Sequence, residues 1–253
     1  MKWQHYVFYF FLIWYSIGVI LVGFDWVPSW LEWANSVFII TAGVLGFIYF
    51  IRTFGTFQGT LMSILILIGS FAIEYVGSTY SILFGSYYYT DYFAPNLFGV
   101  PIAIGFAWVM VIATSHAIVH SFSLKANSFK AIAGGLLAVV FDLVLDPVSY
   151  SVKSYWIWED SGFYYNIPIT NFTGWFITAL VLHLMIELIF KVPKTDLIWR
   201  RRMILLYSLM IAMFTFIAFI NGLYVAGFIP MICLFILLFL IKRGDHNASS
   251  KKE

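Results

Sequence analysis

The stretch "AVVFDLVLDPVSY" (residues 138–150) carries two carboxylates, Asp142 and Asp146, in an otherwise apolar run. A spacing of i, i+4 puts both on one face of a helix. A third acid, Glu74, sits in the similar run "GSFAIEYVG". A carboxylate inside a bilayer costs about 2.5–3.5 kcal/mol on insertion scales, so each needs a reason: one acid alone can serve to hydrogen-bond loop backbone, whereas three at one depth point to function. Carboxyls grouped in a dry place can divide proton-transfer work. One keeps its proton and acts as a Brønsted acid, and a neighbour stays ionised and acts as a base.

A second polar set is built from other residue types. His116 and His120 are four apart, and so are His183 and Glu187. HxxxH with HxxxE offers the donors of a metal site. The same side chains can join helices by hydrogen bonds alone, and no metal is assigned to them at this point. The single cysteine, Cys233, excludes an internal disulfide framework and a multi-cysteine zinc site. No Gly-rich phosphate loop, Ser-His-Asp arrangement or nucleotide motif is present.

The elements that position these groups are set by hydropathy. Of the 253 residues, 62% are hydrophobic and 10% charged, against roughly 25% charged in a soluble domain. The net charge of +2, with no basic patch interleaved with aromatics, gives no sign of a nucleic-acid partner. Apolar runs long enough to span a bilayer fall at about 6–22, 34–51, 61–77, 100–122, 131–146, 172–190, 203–221 and 225–241. The expected fold is an all-α polytopic bundle of about eight transmembrane helices. Residues 1–241 form one integral membrane domain and 242–253 a polar tail. The first run lacks a small-residue cleavage site and reads as a span rather than a signal peptide. Pro147 is expected to end or kink the fifth helix at Asp146.

With both termini in the cytoplasm, 13 of the 14 Lys and Arg lie on the inner side, and only Lys153 lies outside. That bias is what the positive-inside rule describes, and the cell membrane is the expected location. The cluster "KVPKTDLIWRRR" reads as a topology and lipid anchor. Helices three and five then run outward together, which brings Glu74, Asp142 and Asp146 to similar depth in the outer third. The His and Glu set falls in the inner half. "GFAWVMVIA" and "AGGLLAV" carry small residues at helix-packing positions.

Two outer connections are rich in aromatics: "STYSILFGSYYYTDYFAPNLFG" and "SVKSYWIWEDSGFYYNIPITN". They are expected to lie at the interface and cap the bundle. Aromatic walls suit a long conjugated apolar ligand, and their faces stabilise cations.

The blocks 74–108 and 142–175 resemble the carotenoid biosynthesis membrane-protein family, whose characterised members are carotenoid 1,2-hydratases, including bisanhydrobacterioruberin hydratases. The matching features are Glu74 followed by FG-x-Y-x-Y (Phe84, Gly85, Tyr87, Tyr89), and GVP (Gly99 to Pro101) before Trp108. Further on come Asp142 with the Asp146–Pro147 step, W-x-W (Trp156, Trp158), and YY-x-IP-x-x-NF-x-GW (Tyr164 to Trp175). The blocks cover about 40% of the chain. Tyr80, Ala94 and Asn166 stand where the family pattern has glycine. The resemblance implies a hydratase that adds water to the terminal double bond of an acyclic carotenoid end. It implies a carotenoid or isoprenoid lipid substrate, no redox cofactor, and association with other carotenoid enzymes. Asp142 or Glu74 is expected as the acid and Asp146 as base or water-positioner. Tyr87, Tyr89, Trp108, Trp156, Trp158, Tyr165, Asn171 and Trp175 are expected around the substrate. Two other classes compete. One is a non-catalytic carotenoid- or isoprenoid-binding protein or a transporter. The other is a metal-dependent oxidoreductase built on His116, His120, His183 and Glu187.

Overall fold

The computed structural model describes residues 2–190 and 196–249, with side chains as far as Gly244 at the C-terminal end. Eight helices carry the chain: α1 (Trp3–Gly23), α2 (Trp33–Phe54), α3 (Thr56–Tyr80), α4 (Ile102–Val119), α5 (Asn127–Pro147), α6 (Ile169–Ile189), α7 (Leu197–Ile220) and α8 (Tyr224–Ser249). All eight are long and apolar enough to cross a membrane. The chain is a multi-pass membrane protein, and each expected span has its helix.

Boundaries shift by a few residues at most helix ends. Helix five outruns its expected span of 131–146, because α5 starts at Asn127, and α4 with 18 residues is the shortest of the eight. The last helix runs to Ser249, past the expected start of the tail at 242. Residues 250–253 of that tail, and Lys191 and Lys194 of the basic cluster, lie outside the described residues.

Among the helices, α4 is the most enclosed, and α1 and α8 are the least. Close approach to α4 depends on small residues. A Cβ on Gly43 of α2 would stand 2.6 Å from the Phe106 carbonyl oxygen of α4. The small residues of "AGGLLAV" do the same for α5 against α6, where Gly134 meets His183 and Gly135 meets Phe176. Without a hydrophobic drive between helices in lipid, such contacts supply the packing.

Regular α geometry ends at Pro147, as expected, but the coil does not stop there. α5 passes through it into a π-helical turn, Val148–Val152. Proline lacks the N–H that would reach the carbonyl of residue i−4, which is Leu143. The Tyr164 hydroxyl donates to that Leu143 oxygen at 2.8 Å, replacing the missing bond. The helix therefore continues, and the wider turn carries the chain over the end of the bundle.

Four short strands lie in the two aromatic connections. β1 (Tyr87–Tyr89) pairs antiparallel with β4 (Trp156–Trp158), with Tyr87 opposite Trp158 and Tyr89 opposite Trp156. β2 (Asn96–Leu97) pairs with β3 (Val100–Pro101). The expectation of capping loops holds in place but lacked this sheet. The Y-x-Y and W-x-W spacings were its signal, since side chains on a strand alternate faces and Tyr and Trp favour strands.

Candidate active site

The β1–β4 pair forms a lid. Its pleat turns Tyr87, Tyr89, Trp156 and Trp158 toward the bundle, while Tyr88 is exposed. Tyr87 and Trp158 pack across the strands as a tilted pair, 4.9 Å between ring centroids. A two-stranded pair is marginal by itself, so this one needs anchors. The Glu159 N–H donates to the Ser86 carbonyl at 2.9 Å. The Ser86 hydroxyl donates to Glu159 at 2.5 Å, and the Ser86 N–H donates to Asp160 at 2.7 Å. Gly85 before it has φ +108, a backbone conformation that favours glycine, and fits closely against Pro168 and Thr170.

The stronger anchors are the buried acids. Glu74 is 5% exposed, Asp142 0% and Asp146 1%. Tyr87 and Tyr89 donate to Glu74 Oε2 at 2.6 and 2.8 Å, and Trp108 Nε1 of α4 donates to Oε1 at 2.8 Å. Trp156 and Trp158 donate to Asp146 Oδ1 at 2.6 and 3.2 Å. The Asn171 amide of α6 spends its nitrogen on both aspartates, at 2.7 Å to Asp142 Oδ2 and 2.6 Å to Asp146 Oδ2. Among the described residues no cation bonds to any of the three. The second oxygen of Asp142, Oδ1, is buried with no hydrogen-bond partner there.

Burial and the adjacent Glu74 charge push the Tyr87 and Tyr89 phenols well above their ordinary range. Both therefore remain neutral donors. The acids are held by neutral N–H and O–H groups, which satisfy a carboxylate's lone pairs without cancelling its charge.

These side chains enclose a chamber of about 50 Å³ lined by Glu74, Asp146, Asn171, Tyr87, Tyr89, Trp108, Trp156, Trp158, Trp175, Phe84, Ile104, Ala107 and Leu145. Trp108 and Trp175 stack at 4.5 Å. Nine of the eleven residues expected at the site thus share one wall. Asp142 does not line the chamber; it stands behind Asn171. Tyr165 does not line it either. Its hydroxyl accepts the N–H groups of Val225 and Ala226 and so caps the start of α8. Tyr165 and Asn166 have φ of 53° and 61°, the left-handed conformation that explains a glycine at 166 in the family pattern and that Asn tolerates.

Phe84, Ile104, Ala107 and Leu145 were not expected. Ile104, Ala107 and Leu145, with Trp156, also wall a larger apolar groove of about 190 Å³. That groove runs between α1, α2, α4, α5 and α7, past residues such as Trp14, Phe38 and Phe214. Plain aliphatic residues in a membrane helix carry no signal in one sequence that separates a ligand wall from a lipid-facing one.

A family model described as carotenoid biosynthesis protein matches residues 34–241. The chain belongs to that family. The match covers α2 through most of α8 and therefore both aromatic connections, the three acids and the lid. α1, which forms one side of the groove, lies outside it. No curated protein and no solved structure matches. As a carotenoid biosynthesis protein the chain has a role in making carotenoids.

The second polar set is also assembled. His120 Nε2 meets Glu187 Oε1 at 2.6 Å, and Lys130 Nζ donates to Glu187 Oε2 at 2.8 Å. His116 Nδ1 meets the Tyr49 hydroxyl at 2.8 Å. His183 Nε2 stands 2.9 Å from Ser115 Oγ, whose own proton goes to the Val111 carbonyl. His183 thus separates from the other three. Nearby, Asp196 caps α7 through the N–H groups of Ile198 and Trp199 and pairs with Arg52 of α2 at 2.7 Å. Burial opposes the Asp196 charge, but Arg52 and those two N–H groups outweigh it and hold the carboxyl below its ordinary range.

Proposed function

We propose that this protein hydrates the terminal isopropylidene double bond of an acyclic carotenoid end, without a redox cofactor. The observation that carries this reading is the shared wall: the apolar groove and the acid chamber meet at Ile104, Ala107, Leu145 and Trp156. A long polyene lies along the groove and presents its end to the acids.

The chemistry balances as one proton and one water. A carboxyl O–H gives its proton to the CH carbon of the double bond, and the positive charge falls on the dimethyl carbon. Indole and phenol faces, with two carboxylates in a dry space, stabilise that tertiary cation. Water adds to the cation and loses a proton to a base, leaving a tertiary alcohol, and the base returns that proton across the chamber to the acid, which closes the cycle.

The donor pattern favours specific roles. Three N–H or O–H groups converge on Glu74 and three on Asp146, whereas one reaches Asp142. An ionised Asp142 with a bare buried oxygen is costly, so Asp142 and Asp146 share one proton through their common site. Asp146, which faces the chamber, delivers it. Glu74 across the chamber takes the proton from water. Asn171 positions the pair, and Tyr87, Tyr89, Trp108, Trp156, Trp158 and Trp175 form the wall. The one-sided Lys and Arg distribution supports the cell membrane, with this chamber toward the outer face and both termini inside.

The test is purified protein with an acyclic carotenoid bearing free ends, in D₂O and with no added metal or reductant. The expected product gains one water per reacted end and one non-exchangeable deuterium on the adjacent carbon. A non-catalytic binder takes up the carotenoid and leaves its mass unchanged. Product that persists in the triple variant Glu74→Gln, Asp142→Asn, Asp146→Asn overturns the mechanism.

A further inference from the structure

The hydration chemistry makes no use of the second cluster. Trp108 touches Glu74, and His116 lies eight residues further along α4, about 12 Å along the axis at 1.5 Å per residue. His116, His120 and Glu187 nevertheless each offer a ligand atom, and these atoms lie within 4.8 Å of one another. We propose that these three side chains bind one divalent first-row transition-metal ion and so fasten α4 to α6.

Four features support this. First, His116 is fully enclosed. Its Nδ1 is taken by Tyr49, while Nε2 has no hydrogen-bond partner among the described residues. A buried polar atom left unpaired costs about 1–3 kcal/mol, and a metal ligated by Nε2 removes that cost. Second, the set of two imidazoles and one carboxylate is one that zinc accepts, with a fourth position left for water. Imidazole donors exclude magnesium and calcium as good fits.

Third, the groups around these ligands hold them as outer partners do in metal sites. Tyr49 fixes the His116 ring through Nδ1. Lys130 holds the second Glu187 oxygen, and Asn127 donates to the Glu187 carbonyl at 3.2 Å. Arg200 donates to the His120 carbonyl at 3.3 Å. Fourth, the His116 and His120 rings lie nearly parallel at 4.1 Å, so small rotations bring both nitrogens to one point.

Lys130 and Arg200 oppose a cation by charge. Both are bonded to oxygens that the ion does not need, namely Glu187 Oε2 and a backbone carbonyl. The ion takes Glu187 Oε1 and displaces its 2.6 Å bond to His120. His183 stays with Ser115 and takes no part.

The experiment is a titration of the chelator-treated full chain in detergent with Co²⁺, followed by Zn²⁺. One Co²⁺ per chain with visible d–d bands, displaced by Zn²⁺ and raising Tm, is expected. His116→Gln and Glu187→Gln each weaken binding by about 100-fold or more. Tyr49→Phe, which loosens only the outer partner, weakens it by about 10-fold. Should His116→Gln fail to fold, Glu187→Gln and His120→Asn at the less enclosed side carry the test. No Co²⁺ binding up to millimolar concentration, or binding unaltered by these substitutions, overturns the proposal. Either result leaves the hydration assay untouched, since that assay reads the other end of the bundle.

Discussion

The two ends of this bundle solve the same problem, a carboxylate in a membrane, in opposite ways. Glu187 is met by a lysine at 2.8 Å and a histidine at 2.6 Å. Glu74 and Asp146 are met by phenols, indoles and an amide. The lysine cancels the charge of Glu187, whereas neutral donors fix a charge's position and leave it in place. A site that must receive a positive intermediate needs the second arrangement. The lid shows the structural return on that choice: the donors that serve the acids are the inward side chains of β1 and β4, so the acids also hold the lid shut.

The contrast can be broken most sharply at the acids. Glu74→Gln or Asp146→Asn is expected to lower hydration by about 10²–10⁴-fold, the range for loss of a general acid or base. The folded fraction should remain near wild type by size-exclusion chromatography. Substitution of Lys130 by Met at the other end is expected to leave the rate unchanged and to lower Tm slightly. A rate that falls with Lys130→Met would erase the distinction between the ends.

Asn171→Leu comes next. It strips one donor from each aspartate and orphans two buried oxygens, at about 1–3 kcal/mol apiece. The expected outcome is a clear Tm loss, and a pH profile of hydration displaced from wild type, because the two carboxyls no longer share a donor.

Tyr164→Phe removes the hydroxyl that replaces the bond Pro147 cannot make. A loss of about 1–2 kcal/mol is expected, read by denaturant or thermal unfolding, with a smaller effect on rate. A variant that also carries Pro147→Ala regains the backbone N–H and should recover most of it.

The tyrosines give a pH prediction. Burial and the Glu74 charge raise the Tyr87 and Tyr89 phenols above their ordinary range. A raised phenol stays protonated as pH climbs through 10. Hydration should therefore show no alkaline limb from these groups up to about pH 10, where an ordinary tyrosine begins to ionise. The smallest effect is expected at Asp25→Asn. Its partner Lys153 lies at 2.8 Å, but Asp25 is 90% exposed, and such pairs contribute about 0–1 kcal/mol.

Much of the site was legible because membrane segments make polar residues conspicuous. Glu74, Asp142 and Asp146 stood out against apolar runs, and their common depth followed from helix direction. Tyr87, Tyr89, Trp156 and Trp158 stood out through the two aromatic clusters and the motifs of the family they resemble. Tyr165 was misplaced because adjacent tyrosines in a turn look alike in sequence; only the backbone shows that one reaches Leu143 and the other the start of α8. Pro147 was expected to end or kink the helix because its missing N–H is a local fact, whereas the tyrosine that bonds the freed Leu143 carbonyl lies 21 residues beyond that leucine.

By itself, the sequence determined the eight spans and which acids they bury, because hydropathy and the cost of a carboxylate in an apolar run are properties of single segments. The tertiary structure decided which acid faces the chamber, that aliphatic residues of α4 and α5 join chamber to groove, and that His183 leaves the cluster of His116, His120 and Glu187. These depend on which faces of separate helices meet, and that is settled by packing of small residues such as Gly43 and Gly134 across helix pairs rather than by any pattern along one helix.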